Sequence, residues 1–333
     1  MSVLITGGAG YIGSHTVLEL RRRYEAVVVL DNLSTGFAWT VPSDVPLILG
    51  DFGDIETLVS LLKTHEVEAI IHFAARTVVT ESVSDPLGYY LANTVKSRAL
   101  FAAAALAGVK HIIFSSTAAV YGATGSKPVS ENDPTVPLSP YGSSKLMTEW
   151  ILRDVCAAHP MRYVILRYFN VAGADPEGRI GQSTSRATHL IKVAVQTALG
   201  LRPFMELYGQ DYNTPDGTCI RDYIHVSDLA SAHALALEYM RGGGQSILVN
   251  AGYGRGFSVR EVIETTEIVS GLPINIQYAP RRAGDAPSVV AEPNILCTQL
   301  GWKPQYDDLS TIVLHALKWE RELVLRGLTP SPF

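Results

Sequence analysis

The chain is 333 residues long, 47% hydrophobic and 18% charged, with a formal net charge of −5 at neutral pH. This composition suits a globular chain able to bury a sizeable core, a large α/β unit with a smaller appended lobe, and excludes disordered and fibrous classes. The acidic balance gives no basic footprint for nucleic acid, and the longest apolar stretch, near Ala99 to Ala107, is too short to span a bilayer. Met1-Ser2 leads straight into Val3-Leu4-Ile5 without room for a signal peptide, so a cytoplasmic location is expected. Cys156, Cys219 and Cys297 show neither metal-ligand spacing nor an even count and are read as buried free thiols.

Short β-branched runs recur at Val3-Ile5, Ala26-Leu30, Leu47-Leu49, Ala69-Phe73, His111-Ser115 and Tyr163-Leu166, with helix-length segments between most of them. The alternation predicts βαβ units and a doubly wound parallel sheet. The alanine-rich stretch from Ala99 to Ala107 reads as a helix closed by Gly108. Past residue 172 the pattern changes: Gly173 to Ser185 is rich in glycine, polar residues and charge before the apolar run Leu190 to Leu199, which marks the start of a second lobe. Ile224 to Met240 reads as strand then helix and Ser246 to Asn250 as a strand, a return to the first unit. The expected division is residues 1–172, rejoined by 224–250, with 173–223 and 251–330 forming a smaller α/β lobe. The tail Thr329-Pro-Ser-Pro-Phe333 is expected to fray.

After the first strand comes Thr6-Gly7-Gly8-Ala9-Gly10-Tyr11-Ile12-Gly13. Glycine is needed in such a loop so that the backbone can turn sharply, a pyrophosphate can approach it, and the following helix can pack on the strand. Asp31 stands 18 residues beyond Gly13 at the end of the second strand, where a carboxylate accepts hydrogen bonds from adenosine ribose hydroxyls. The bland alternative is a turn aspartate. Asp31 to Gly36 contains no arginine to neutralise a 2′-phosphate, which favours NAD over NADP in a Rossmann-like site. Asp51, closing the third strand, is a candidate adenine contact, whereas Arg21-Arg22-Arg23 at a helix C-terminus reads as solvated surface.

Tyr141 and Lys145 stand four apart and share one helix face, 24 residues beyond Thr117 at a strand end. A neighbouring ammonium and a positive nicotinamide ring both favour a phenolate, so a lowered tyrosine pKa suited to general base work is expected. Glycine loop, acidic strand end, strand-end hydroxyl and Tyr-x-x-x-Lys occur in the order shown by short-chain dehydrogenases.

The chain resembles the UDP-galactose 4-epimerases of that superfamily. The likeness is carried by Ser115 to Gly122, Ser139-Pro-Tyr-Gly-Ser-Ser-Lys145, Arg167-Tyr-Phe-Asn-Val-Ala-Gly173, Asp216 to Val226 with its Arg-Asp-Tyr-Ile-His block, and Ala279-Pro-Arg-Arg-Ala-Gly-Asp285. It implies redox-neutral inversion at carbon 4 of a UDP-hexose with bound NAD: Tyr141 as base, Thr117 bridging the 4-oxygen, and Lys145 on the nicotinamide ribose. It implies cofactor contacts from Gly7, Gly10, Tyr11, Ile12, Gly13, Asp31, Asn32, Asp51, Phe52, Phe73, Ala74, Ala75, Asn93, Tyr141, Lys145 and Tyr168. Substrate contacts carried over, besides Thr117 and Tyr141, are Asn170 at the diphosphate, His189 and Leu190 near the uridine, Tyr208 against uracil, Arg221 and Arg282 as a diphosphate clamp, Asp285 on the uridine ribose, and Val289 beside the sugar. Arginine suits the clamp because its fork matches phosphate oxygens, although either arginine alone reads equally as a surface ion pair.

Two departures from the family stand out. Many relatives carry serine at Thr117, and threonine keeps the hydroxyl while stiffening the rotamer. Thr77 stands where many have a lysine near the cofactor pyrophosphate, with Arg76 adjacent as a substitute. The histidines, His225 included, show no ligand spacing and are read as structural or surface groups. The family also implies a homodimer through the helices near Tyr89 to Gly108 and Tyr141 to Ala158. Two rival readings share the scaffold. A nucleotide-sugar dehydratase or decarboxylase needs extra acid and base groups where Ala118 and Ala119 stand. A non-catalytic dinucleotide sensor has no use for the Thr117, Tyr141 and Lys145 set.

Overall fold

A computed structural model describes residues 1–125, 127–184, 188–282 and 285–328; the tail expected to fray lies outside them. The strands begin with β1 (Ser2–Thr6), β2 (Val27–Asp31), β3 (Leu47–Leu49), β4 (Val67–His72), β5 (His111–Thr117) and β6 (Arg162–Tyr168). They continue with β7 (Asn170–Ala172), β8 (Met205–Tyr208), β9 (Ile220–His225), β10 (Ile247–Ala251), β11 (Gly256–Ser258), β12 (Ile276–Ala279) and β13 (Ser288–Val289). Seven of them form one sheet in the order β10-β6-β5-β4-β1-β2-β3, with every adjacent pair parallel. The chain runs outward from β1 to β3 and then restarts at β4 on the other side of β1. In such a sheet the crevice at this reversal, beyond the carboxyl ends of the strands, is where ligands bind.

The strand centres are apolar on both sides because helices cover both faces. Alternation along β1 sends Val3 and Ile5 into a cluster with Val29, Ile71, Leu229 and Leu237, the last two from the helix Val226–Arg241. It sends Leu4 into the opposite cluster with Ile70, Ile112, Leu58, Leu100 and Phe101. Local chemistry sets the helix ends. Asp54 caps Ile55–Thr64, Ser139 caps Pro140–Ala158 with proline in the first turn, and Ser258 and Glu261 close a reciprocal capping box.

The remaining strands build two smaller sheets. β9 lies between β11 and β13 and also pairs with β7, while β8 pairs with β12. Ile224 and His225 belong to β9 by pairing, and the helix Val226–Arg241 and β10 follow. The Ile224 side chain packs in the same cluster as Val226 and Leu229, beneath the large sheet. Asp222 is buried in β9 and accepts from the backbone N–H groups of Tyr253 and Gly254, both at 2.9 Å, and of Ala291 at 3.2 Å. Burial pushes its carboxyl up to about 6 against the pull of these donors.

Arg21 pairs with Asp44, Arg22 with Glu19, and Arg23 with Glu19 and Glu238, as expected for a solvated helix end. The thiols are free, but only Cys219 is buried: Cys156 is half-buried and Cys297 exposed, so the uniform burial read from the sequence is corrected. Cys297 follows the short helix-forming run Asn294-Ile-Leu, whose Leu296 takes the inward position and leaves its neighbour facing outward. No helix among the described residues is long and apolar enough to cross a membrane.

Candidate active site

The turn after β1 has no room for side chains. A Cβ on Gly7 would stand 2.7 Å from the Ala74 nitrogen, and one on Gly13 would stand 2.2 Å from the Gly7 oxygen. The helix Tyr11–Arg22 starts at Gly10 with no side-chain cap and no acid in its first turn, which leaves its N–H groups free for an anion. Those two observations fit a dinucleotide pyrophosphate.

Asp31, 8% exposed, accepts from Ala9 N–H at 2.9 Å and from Leu33 N–H at 2.8 Å. The bland reading of Asp31 as a turn residue therefore holds together with the cofactor reading. Ala74 and Phe73 donate backbone N–H groups to Thr6, and the Phe73 ring lies 4.7 Å from that of His233. Ile12 packs against the core beside Tyr11, whose hydroxyl donates to Gly173 O at 2.7 Å and ties this helix to the end of β7. Asn32 is exposed and accepts from Ser34 N–H. Asp51 is paired with Lys96 at the surface, and the Phe52 ring stands edge-on to His72.

Glu81 and Asp85 hold the Arg76 guanidinium at 2.7 and 2.6 Å over the Tyr89 ring, beside Thr77. Asn93 is buried within a π-helical turn, Tyr90–Val95. Its Oδ1 accepts from Arg76 N–H, and its Nδ2 donates to Arg76 O and Ser144 Oγ. Both amide hydrogens are thus used in bracing the segment that includes Ala75, between β4 and the Pro140–Ala158 helix.

At the chemical end Tyr141 and Lys145 are buried on one face of that helix, and Thr117 closes β5 with its Oγ1 accepting from Ala119 N–H at 3.1 Å. Tyr141 is hydrogen-bonded to Thr117, yet burial pushes its phenol up to about 12. In the chain without a nicotinamide beside it, burial outweighs any lowering by lysine. Lys145 Nζ donates instead to Ser115 O at 2.8 Å over the Phe114 ring, and burial brings its pKa down to about 7. Tyr168 is hydrogen-bonded to Ser115, and its phenol too is pushed up by burial and by Tyr141.

The substrate-side residues form two groups. Asn170, His189 and Leu190 line a narrow cleft with Gln182, Lys192 and Glu320, which does not include Thr117 or Tyr141. Asp285 lies between two arginines, 3.6 Å from Arg221 and 2.9 Å from Arg282, whose guanidinium covers the Tyr208 ring at 4.7 Å. Val289 pairs in register with Arg221 and packs on the cluster of Ala118, Val120 and Phe169 behind Thr117. It therefore links the arginine group to the chemical end.

Residues 3–252 match the model of the NAD dependent epimerase/dehydratase family. The chain belongs to that family. It is 57% identical over 321 residues to a UDP-glucose 4-epimerase of Azospirillum brasilense, covering 96% of this chain and 92% of the relative. Among solved structures it is similar to the Brucella ovis UDP-glucose 4-epimerase in complex with NAD, with a TM-score of 0.92, 43% identity, and 95% and 97% of the two chains covered. It is likewise similar to the UDP-Glc/GlcNAc 4-epimerase of Campylobacter jejuni, with a TM-score of 0.85, 44% identity, and 96% and 99% covered.

Within this epimerase/dehydratase frame, sequence reasoning passed over Gly142, Glu149 and the side chain of Arg167. Glu149 follows Lys145 by four residues, so helical spacing places it on the Tyr141 face, but only its burial against Arg167 separates it from a solvated glutamate. For the cofactor end, Asp31→Ala is expected to weaken NAD binding about 10- to 150-fold, the loss of a charged hydrogen bond, and to narrow the preference over NADP. Titration of both cofactors checks it, and unchanged affinities would remove Asp31 from the site.

Proposed function

We propose that this chain is an NAD-dependent UDP-glucose 4-epimerase, interconverting UDP-glucose and UDP-galactose through a 4-keto sugar. The observation that carries the reading is the buried Thr117–Tyr141–Lys145 set at the carboxyl end of β5, beside a glycine turn shaped for a pyrophosphate. Gly7, Gly10, Gly13 and Asp31 hold the dinucleotide. Bound NAD supplies a hydride acceptor and donor and, when oxidised, a positive charge beside the phenol.

Tyr141 is neutral in the chain alone, so it needs positive charge nearby before it serves as base at neutral pH. Thr117, bonded to that phenol, passes the proton of the 4-hydroxyl toward Tyr141 and keeps the 4-oxygen aligned. Lys145 turns to the nicotinamide ribose while remaining against Ser115. Arg221 and Arg282 exchange Asp285 for the substrate diphosphate, with Asn170 on its other side, and Asp285 is released to the uridine ribose. Tyr208, His189 and Leu190 face the base. With its diphosphate held by Arg221, Arg282 and Asn170, the sugar itself would be left free to turn and present its other face to the cofactor site. Ala118 and Ala119 beside Thr117 offer no acid or base for elimination of water. We place the cofactor unit at residues 1–172 with the helix Val226–Arg241 and β10, and the substrate lobe in the remainder.

We also propose a homodimer. Leu87, Leu91, Val95, Met147 and Trp150 are exposed along the adjoining 86–107 and 140–158 helices, a larger apolar face than isolated surface residues produce.

Incubation with UDP-galactose should yield UDP-glucose without stoichiometric reduction of added NAD. Tyr141→Phe and Thr117→Val should each lower turnover at least about a hundredfold with NAD still bound, and Thr117→Ser should be nearly silent; wild-type turnover in Tyr141→Phe would move the base elsewhere. A tyrosine at Val289 would add bulk on the sugar side, and overpacking costs about 1–3 kcal/mol. N-acetylated UDP-hexoses should therefore be accepted, and Val289→Tyr should remove that reaction while sparing the plain sugars; equal kcat/KM loss for both would defeat the gate. Light scattering should give the mass of a dimer and Trp150→Asp that of a monomer, whereas a monomeric wild type at micromolar concentration sinks the dimer.

A further inference from the structure

Beneath the Tyr141 and Lys145 face lies a second charge cluster. Glu149 and Arg167 are 1% and 4% exposed. Arg167 donates Nε to Glu149 Oε1 at 2.9 Å and Nη2 to Oε2 at 2.6 Å, a bidentate pair. Ser116 Oγ also donates to Glu149 Oε1. The Arg167 guanidinium lies over the Tyr121 ring at 4.8 Å, and the Tyr121 hydroxyl donates to Asn250 Oδ1 at 2.7 Å, which carries the network to β10.

These contacts close a ring around the reacting groups. Lys145 grips the β5 backbone at Ser115, and one helical turn later Glu149 grips the next residue, Ser116. Thr117 follows Ser116, and Tyr141 precedes Lys145 by one turn. On the neighbouring strand, in register, Arg167 pairs with Ser116 and Tyr168 with Thr117. The helix is thus clamped to the strand end at two successive turns, once by a cation and once by an anion.

We propose that Glu149 is a positioning residue for the epimerisation: its carboxylate, shared between Ser116 and Arg167, locks the Lys145 turn of the helix to the strand end that carries Thr117. This rests on the epimerase reading above. Glu149 touches no reacting atom; it acts through Lys145 and Thr117. A salt bridge kept only for stability could be replaced by packed apolar residues at little cost, whereas one that fixes a relay cannot.

Charge provides a readout that packing alone does not. Lys145 faces Glu149 on its own helix, Phe114 and Ser115 on β5, and His72 on β4, with Tyr168 of β6 bonded to the same Ser115 and Tyr141 one helical turn before it. Burial keeps Tyr141 and Tyr168 as neutral phenols and His72 as a neutral imidazole. Glu149 is the group that favours the ammonium. Without its charge the buried ammonium loses that support and is lost at lower pH.

The test compares wild type, Glu149→Gln and the double variant Glu149→Leu, Arg167→Met, assayed with UDP-galactose. A wild type with no turnover refutes the epimerase reading itself; the variants speak only to Glu149. Glu149→Gln should lower kcat at least about tenfold with KM within about threefold, as expected for misplaced reacting groups, and shift the alkaline limb of the kcat profile to lower pH. The double variant removes both charges of the Glu149–Arg167 pair together and should fold with a near wild-type Tm, yet still lose at least about tenfold in kcat. Unchanged kcat and pH profile in folded Glu149→Gln, or unchanged kcat in the folded double variant, overturns the proposal. Failure of both to fold makes Glu149 a structural residue and overturns it equally.

Discussion

Gly142 is where the Pro140–Ala158 helix presses against the turn after β5. A Cβ there would stand 2.6 Å from the Ala119 carbonyl oxygen and 2.9 Å from Pro137 Cβ, inside contact distance. Because the helix can come this close, Tyr141 reaches Thr117, Lys145 reaches Ser115 O, and Glu149 reaches Ser116. All three contacts join the same helix to the same strand end, so a helix lifted by the width of a methyl group would loosen them together. Ser139 and Pro140 settle where this helix begins. Gly142 settles how near it lies.

A second set of contacts binds the cofactor turn to the substrate side. Asp31 holds Ala9, and the loop beyond Asp31 folds back so that Phe37 N–H and Thr40 Oγ1 both donate to Ala9 O at 3.0 Å. From that loop the Trp39 ring reaches Trp319 at 6.1 Å, in the helix Leu309–Leu325 beside the substrate cleft. Tyr11 makes the matching connection from the other side through Gly173. The two ends of the site are therefore coupled through side chains that flank the glycine turn, and displacement of that turn is felt at the cleft.

Two buried ion pairs flank the site. Lys192 and Glu320, 4% and 3% exposed in their side chains, hold each other behind the cleft, with Lys192 also donating to Gln182 O. Glu149 and Arg167 do the same beneath the chemistry. An isolated buried charge would be far costlier than a solvated one, so each is matched within hydrogen-bond distance. The Arg221, Arg282 and Asp285 group is more open, and its carboxylate occupies the kind of position that phosphate oxygens take between guanidinium groups.

Local signals made much of this legible. β-branched runs alternating with helix-length segments specify a parallel sheet; the glycine spacing, with Asp31 at the next strand end, specifies a dinucleotide turn; Tyr141 and Lys145 four apart specify a shared helix face. Each follows from periodicity or from the conformational needs of neighbouring residues, which a linear chain displays. The destination of Arg76 at Glu81 and Asp85, the bracing work of Asn93, and the meeting of Val289 with Ala118 depend on which distant segments pack together. So does the rise of the Tyr141 phenol to about 12, because the exclusion of water that causes it is produced by the whole fold. Periodicity and spacing along the chain were enough for the parallel sheet and for naming the candidate turn and candidate reacting side chains. Only the tertiary structure decided their partners and protonation, since burial and long-range pairing exist only after the chain has folded.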